Sequence, residues 1–111
     1  MNELATKHCI PCEGGVPTLS TDEIRDKLAQ LTDWQVTDAN TQIFKVFNFK
    51  NYGRTMAFAN AVAYIAMREG HHPELSVSYN RCVVHYTTHA VDGLTENDFI
   101  CAAKVEQLAQ L

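Results

Sequence analysis

The stretch Glu69-Gly70-His71-His72-Pro73-Glu74-Leu75-Ser76-Val77-Ser78-Tyr79 decides the fold. It begins as the tail of a helix and finishes as an alternating strand. Upstream, Tyr52–Glu69 is rich in alanine and places Phe58, Val62 and Ile65 at i, i+4 and i+7, the apolar stripe of a helix. Asn51 can cap its start. Gly70 stands where a C′ glycine ends a helix, and Pro73 forbids continuation. Downstream, Leu75–Tyr79 alternates with the period of a strand. Asn80-Arg81 reads as a short turn. Cys82–Thr88 reads as the return strand, with Val84 and Tyr86 on one face and Val83, His85 and Thr87 on the other.

The same logic covers the rest of the chain. Ser20 with Glu23 forms a capping box, and Leu19 and Ile24 are placed as a hydrophobic staple. Ile24, Leu28 and Leu31 then predict a helix over about 20–31. Trp34–Thr37, the turn signal Asp38-Ala39-Asn40, and Gln42–Phe49 read as a hairpin. Ile43, Phe47 and Phe49 share one face of its second strand, Phe44 and Val46 the other. Apolar residues on both faces predict a cover on each, by helices or by another subunit. Asp92-Gly93 turns the chain. Thr95 is a third N-cap, with Asp98 at N3 and Leu94 and Phe99 placed to staple. Cys101, Val105 and Leu108 carry the final helix to about Gln110.

The expected fold is therefore α+β: a four-stranded antiparallel sheet with three helices on one face, in the order α-β-β-α-β-β-α. Residues 1–17 read as an irregular N-terminal arm, since Pro11–Pro17 holds too many breakers for an element. Residues 18–111 read as a single domain. The net charge of −4 argues against a nucleic-acid footprint, which needs a basic face. The longest apolar window, Ala57–Met67, is far too short to span a bilayer. No basic amphipathic stretch suggests membrane-surface binding. The N-terminus lacks the apolar core of a signal peptide, so the expected location is cytoplasmic.

Three of the five histidines, His71, His72 and His89, fall at the ends of elements. Histidine exchanges protons near neutral pH, and catalytic groups concentrate at such edges. Counting outward from the Asn80-Arg81 turn, Tyr79 faces Cys82 and Leu75 faces Tyr86. The His71–Pro73 loop then lies near Thr88-His89, so the hairpin gathers three imidazoles at one end of the sheet. Surface histidines at loop ends are the bland alternative. A zinc site is a further one, but adjacent ligands are awkward and no carboxylate is obvious as an orienter. His85 is four residues from His89, about 13 Å along a strand, and reads as structural or surface. His8-Cys9-Ile10-Pro11-Cys12 contains a CxxC without the second pair of a structural zinc site or the strand and helix of a redox motif. It reads as an arm with two free thiols, or as arm-mediated metal capture. Cys82 and Cys101 read as small buried hydrophobes. The lone pair Gly14-Gly15 does not support dinucleotide binding.

These residues resemble the pterin-4a-carbinolamine dehydratases. The resemblance rests on Glu69-Gly-His-His-Pro-Glu74, on Val83–His89 ending Thr-Thr-His, and on Gly93-Leu-Thr-Glu-Asn-Asp-Phe99. Trp34 and Phe47–Lys50 add to it, and it covers about residues 19–110. The family's reaction removes water from the 4a-hydroxytetrahydropterin left by aromatic amino acid hydroxylases and yields quinonoid dihydropterin. The resemblance implies catalysis by His71, His72 and His89, and pterin contacts from His72, Pro73, Glu74 and Thr88. It implies no metal or organic cofactor, a homodimer or homotetramer, and phenylalanine hydroxylase as functional partner. The chain departs from the family at Met67, where many members carry a glutamate, at Leu75, where some carry a tryptophan, and at Asp92, where a second glycine is common. The competing expectation is an interaction protein on the same fold, because some relatives serve dimerisation, assembly or transcription.

Overall fold

The computed structural model describes residues 3–11 and 17–108. Helix α1 (Thr21–Leu28) is followed by strands β1 (Gln35–Val36) and β2 (Ile43–Asn48), then by α2 (Tyr52–Glu69). Strands β3 (Glu74–Val77) and β4 (Arg81–Tyr86) precede α3 (Glu96–Leu108). The strands form one antiparallel sheet in the order β1-β2-β4-β3. This is the α+β architecture and element order expected from the sequence. Two 3-10 turns, Glu3–Thr6 and His89–Val91, complete the elements. No helix among the described residues is long and apolar enough to cross a membrane.

Local chemistry explains the boundaries. The Ser20 hydroxyl accepts from the Glu23 N–H and the Glu23 carboxylate accepts from the Ser20 N–H, so the capping box is complete. Asn51 caps α2 by accepting from the Arg54 N–H at 2.9 Å. Gly70 ends α2 in the left-handed region, φ 66° and ψ 28°, which only glycine adopts freely. Helix α1 stops at Leu28, earlier than Leu31: Gln30 and Leu31 close tight turns onto the Lys27 and Leu28 carbonyls. Helix α3 is described to Leu108, and the expected end near Gln110 lies outside the described residues, as do Cys12 and the Gly14-Gly15 pair.

Ile43 and Phe47 of β2 and Cys82, Val84 and Tyr86 of β4 point to the helix side. They share a core with Trp34, Ile24 of α1, Phe58 and Val62 of α2, and Phe99, Ile100 and Val105 of α3. Trp34 is the residue before β1, and its ring meets Phe47 edge-on at 6.1 Å. The opposite sheet face carries half-buried Phe44, Val83 and His85, with Val46 43% exposed. Among the described residues, the helices pack on the other face and the cover expected here does not come from them.

The second hairpin corrects the sequence reading. Its central residues are Tyr79-Asn80, not Asn80-Arg81, and the register pairs Leu75 with Val84 and Val77 with Cys82. The cause lies outside the hairpin. Thr55 of α2 donates its hydroxyl to the Tyr79 carbonyl at 3.0 Å. The Phe49 N–H donates to the Asn80 carbonyl at 2.8 Å. Tyr79 also stacks on Tyr52, with ring centroids 6.4 Å apart. These contacts hold the turn one residue earlier. Each partner moves by two positions, an even number, so every side chain keeps its predicted face.

The arm is docked. Leu4, in the first 3-10 turn, is 2% exposed and joins the core. Lys104 of α3 donates to the Ala5 carbonyl at 2.9 Å. An apolar residue in a short turn leaves no periodicity to read, which is why the sequence suggested only an irregular arm.

Candidate active site

Three neighbouring features build one site: the end of α2, the segment after β4, and the first turn of α3. Gly70 reverses the chain so that His71 turns back under α3, and its N–H returns to the Ala66 carbonyl at 3.2 Å. The His71 Nε2 lies 2.6 Å from Oδ1 of Asp98. The Asp98 side chain is fully buried, and that of His71 is 10% exposed.

Asp98 is at N3 of α3, where an acid interacts favourably with the helix dipole. Its Oδ2 accepts the Thr95 N–H at 3.0 Å, the acid half of a capping box. The same oxygen accepts the Thr88 hydroxyl at 2.7 Å. Thr88 has then given away its only proton, so it receives the Thr95 hydroxyl at 2.9 Å. Thr95 thus caps α3 through its backbone while its side chain serves this network. An ionised carboxylate only accepts, so opposite it Nε2 of His71 carries the proton and Nδ1 is the ring nitrogen without one. The sequence reading found no orienting carboxylate. It assigned Asp98 to helix capping, and capping is one half of what Asp98 does.

The His71 ring stacks on Tyr86, with centroids 5.7 Å apart and planes 5° from parallel. Burial, with the Cys101 thiol next in effect, pushes the Tyr86 phenol up. Tyr86 stays protonated and forms a floor beneath the imidazole.

Gly70, His71, His72, Thr87, Thr88, His89 and Ala90 line an open cleft of about 200 Å³. The three histidines therefore meet at one cleft, although the hairpin register that brings them there differs from the one counted from sequence. His72 and His89 are exposed to it, and His89 opens the second 3-10 turn. Thr88 lines the cleft with its hydroxyl turned to Asp98. Pro73 and Glu74 are not among the lining residues, and Glu74 pairs with His85 at the start of β3. Met67 is also off the cleft and 77% exposed. His85 lies apart, its ring 5.5 Å from Phe44 and its Nδ1 3.4 Å from the Gln42 side chain.

The arm holds both approaches to this pair. Glu69, immediately before Gly70-His71, accepts the Cys9 N–H at 2.8 Å and meets His8 Nδ1 at 3.1 Å. Asn97, immediately before Asp98, exchanges two hydrogen bonds with the Ile10 backbone, at 3.1 and 2.7 Å. Burial alone would raise the Glu69 carboxyl. The Cys9 N–H, His8 and Lys104 outweigh it and hold the group below the usual carboxylate range. A depressed carboxyl stabilises the fold above its unfolded value, about 4.3, and that stability is lost as pH falls through the folded value. Glu69→Gln is therefore expected to cost roughly 1–3 kcal/mol at neutral pH. Urea unfolding should show the gap to wild type closing below about pH 4. A gap constant down to acid pH would mean that the charge plays no part.

The fold and this geometry define a class: a small α+β domain holding an aspartate-oriented imidazole at a cleft, able to give and take a proton. The family model for pterin 4 alpha carbinolamine dehydratase matches residues 17–108. A Nitrosospira multiformis protein provisionally named pterin-4-alpha-carbinolamine dehydratase is 55% identical over 111 residues, covering 100% of this chain and 96% of that protein. A Legionella pneumophila protein with the same provisional name is 53% identical over 108 residues, covering 96% of each. Among solved structures, a transcriptional coactivator/pterin dehydratase from Brucella melitensis superposes with a TM-score of 0.80 at 33% identity, covering 84% of this chain and 99% of that one. A pterin dehydratase-like RuBisCO assembly factor of the alpha-carboxysome superposes with a TM-score of 0.62 at 26% identity, covering 70% of this chain and 90% of that one. The chain belongs to the pterin-4a-carbinolamine dehydratase family.

Proposed function

We propose that this protein dehydrates 4a-hydroxytetrahydrobiopterin to quinonoid dihydropterin by histidine acid/base catalysis. The observation that carries the reading is the His71–Asp98 hydrogen bond at the wall of a cleft shared with His72 and His89. A cleft of about 200 Å³ is small beside the ~300–1,000 Å³ of pockets for larger ligands. It suits a flat bicyclic head whose side chain remains outside.

The C4a hydroxyl is a poor leaving group until it is protonated. One imidazole supplies that proton, the N5 lone pair expels water, and a second imidazole takes the N5 proton. The proton gained balances the proton given, but the two imidazoles end with exchanged protonation states, so a proton passes back between them through solvent before the next turnover. His71 and His89 perform these transfers, and His72 holds the ring. Because both catalytic groups are imidazoles, exchanging their roles lets the same cleft serve either configuration at C4a. Thr88 acts through Asp98 and not on the pterin. Pro73 and Glu74, which follow His72 in the chain, contact the pterin by resemblance to the family. By resemblance the enzyme works as a homodimer or homotetramer and supports phenylalanine hydroxylase in recycling tetrahydrobiopterin.

The test is direct. Chemically generated 4a-hydroxytetrahydropterin is mixed with the purified protein and quinonoid product is followed by absorbance. A rate well above the uncatalysed background is expected. A wild-type rate equal to background would transfer the function to the scaffold role that the coactivator and assembly-factor relatives suggest.

A further inference from the structure

The contact between the arm and α3 contains a pair of thiols that proton transfer does not use. Cys9 Sγ lies 3.4 Å from Cys101 Sγ, across 92 residues of sequence. Cys101 is fully buried in α3, whereas Cys9 is only partly covered. The backbone on either side of Cys9 is held. Its own N–H is bound by Glu69, and Ile10 next to it is bound twice by Asn97, one helical turn before Cys101. The two sulfurs are thus in contact without a bond. A disulfide needs about 2.05 Å between them, so a closure of roughly 1.4 Å would join them. Side-chain rotation of the less confined Cys9 can supply that without undocking the arm.

We propose that Cys9 and Cys101 form a reversible disulfide that fastens the arm to α3. The oxidant is a low-molecular-weight disulfide, RSSR. The Cys9 thiolate attacks one of its sulfurs, the RS–SR bond breaks, a Cys9–SR bond forms, and the departing RS⁻ takes up a proton. The Cys101 sulfur then attacks the Cys9 sulfur and expels the second RS⁻, which receives the Cys101 proton. Two protein thiols are oxidised and one RSSR is reduced to two RSH. Cys9 reacts first because it is the less buried residue of the two. The cross-link holds Glu69 and Asn97 in place from outside, and both precede members of the His71–Asp98 pair. None of this depends on which substrate occupies the cleft.

The full chain is equilibrated in glutathione buffers from reducing to oxidising, free thiols are alkylated, and the protein is cleaved at Lys, Arg and Glu. Cleavage at Glu96 separates Cys82 from Cys101. The expected product is a Cys9–Cys101 cross-linked peptide that dithiothreitol removes. Closing so long a loop should raise Tm on the order of 10 °C in the oxidised form. Cys12, three residues from Cys9, is the natural competitor. Cys12→Ser should retain both the cross-link and the Tm rise, and Cys9→Ser should lose both. A Cys9–Cys12 bridge, a glutathione adduct that persists on Cys9, or no oxidation in the most oxidising buffer would each overturn the proposal. These readouts are independent of dehydratase activity.

Discussion

Alanine at His71 or at His89 is expected to cut the dehydration rate by about 10²–10⁴-fold, the usual contribution of one positioned acid or base. The two variants should differ in stability. His71 is nearly buried and closes the acceptor set of Asp98. Its removal leaves a buried carboxylate short of one donor, which costs about 1–3 kcal/mol. His89 is exposed, so His89→Ala should unfold at nearly the wild-type urea concentration while losing comparable activity. His72→Ala should act mainly through KM, since a group that holds the ring equally in ground and transition states does not change kcat. His85→Ala is the internal control: it lies against Phe44 and Gln42, away from the cleft, and should keep full activity. Testing both C4a configurations sharpens the assignment. If His71 and His89 exchange roles, each alanine variant slows both isomers. A variant that slows one isomer alone would mean that the roles are fixed.

Much of this arrangement could be read from the sequence because its signals are local. Gly70 followed by Pro73 stops α2 and starts β3 within a few residues, and the capping residues Ser20 and Asn51 act within one turn. The alternation grouped Ile43 with Phe47 and Val84 with Tyr86 on one face each, and the structure buries those groups. That face survived the misplaced turn because the error in pairing was even. The features that escaped are those set by distant partners. Thr55 and Phe49 decide where the second hairpin turns, and nothing in Ser78–Cys82 announces them. The role of Asp98 depends on α3 folding its first turn back over His71, 27 residues earlier in the chain. The capping position of Asp98 and the clustering of the histidines were each legible. The 2.6 Å approach of Asp98 to His71 was not. The same holds for the arm, where a single buried leucine and two polar clamps replace any periodic pattern.

Asp98→Asn is expected to separate orientation from packing. The Thr95 N–H and Thr88 hydroxyl both need an acceptor, and in asparagine only the oxygen can serve. That places the amide NH₂ against Nε2 of His71. An NH₂ group only donates, so Nε2 must accept and the imidazole proton moves to Nδ1. That nitrogen changes from acceptor to donor without a change in shape. Activity should fall by about 10²–10⁴-fold; the analogous exchange in the serine-protease triad costs about 10⁴. Stability should fall much less than in Asp98→Ala, which leaves three buried donors without a partner and should cost on the order of 3–5 kcal/mol. The readout specific to orientation is the ¹⁵N spectrum of the His71 ring, in which the two tautomers are distinct. A protein that keeps wild-type activity with its proton moved to Nδ1 would show that the tautomer is irrelevant. A lost activity with the proton still on Nε2 would assign Asp98 to charge and not to orientation. The pair at 2.6 Å earns a mechanistic role only if tautomer and rate change together.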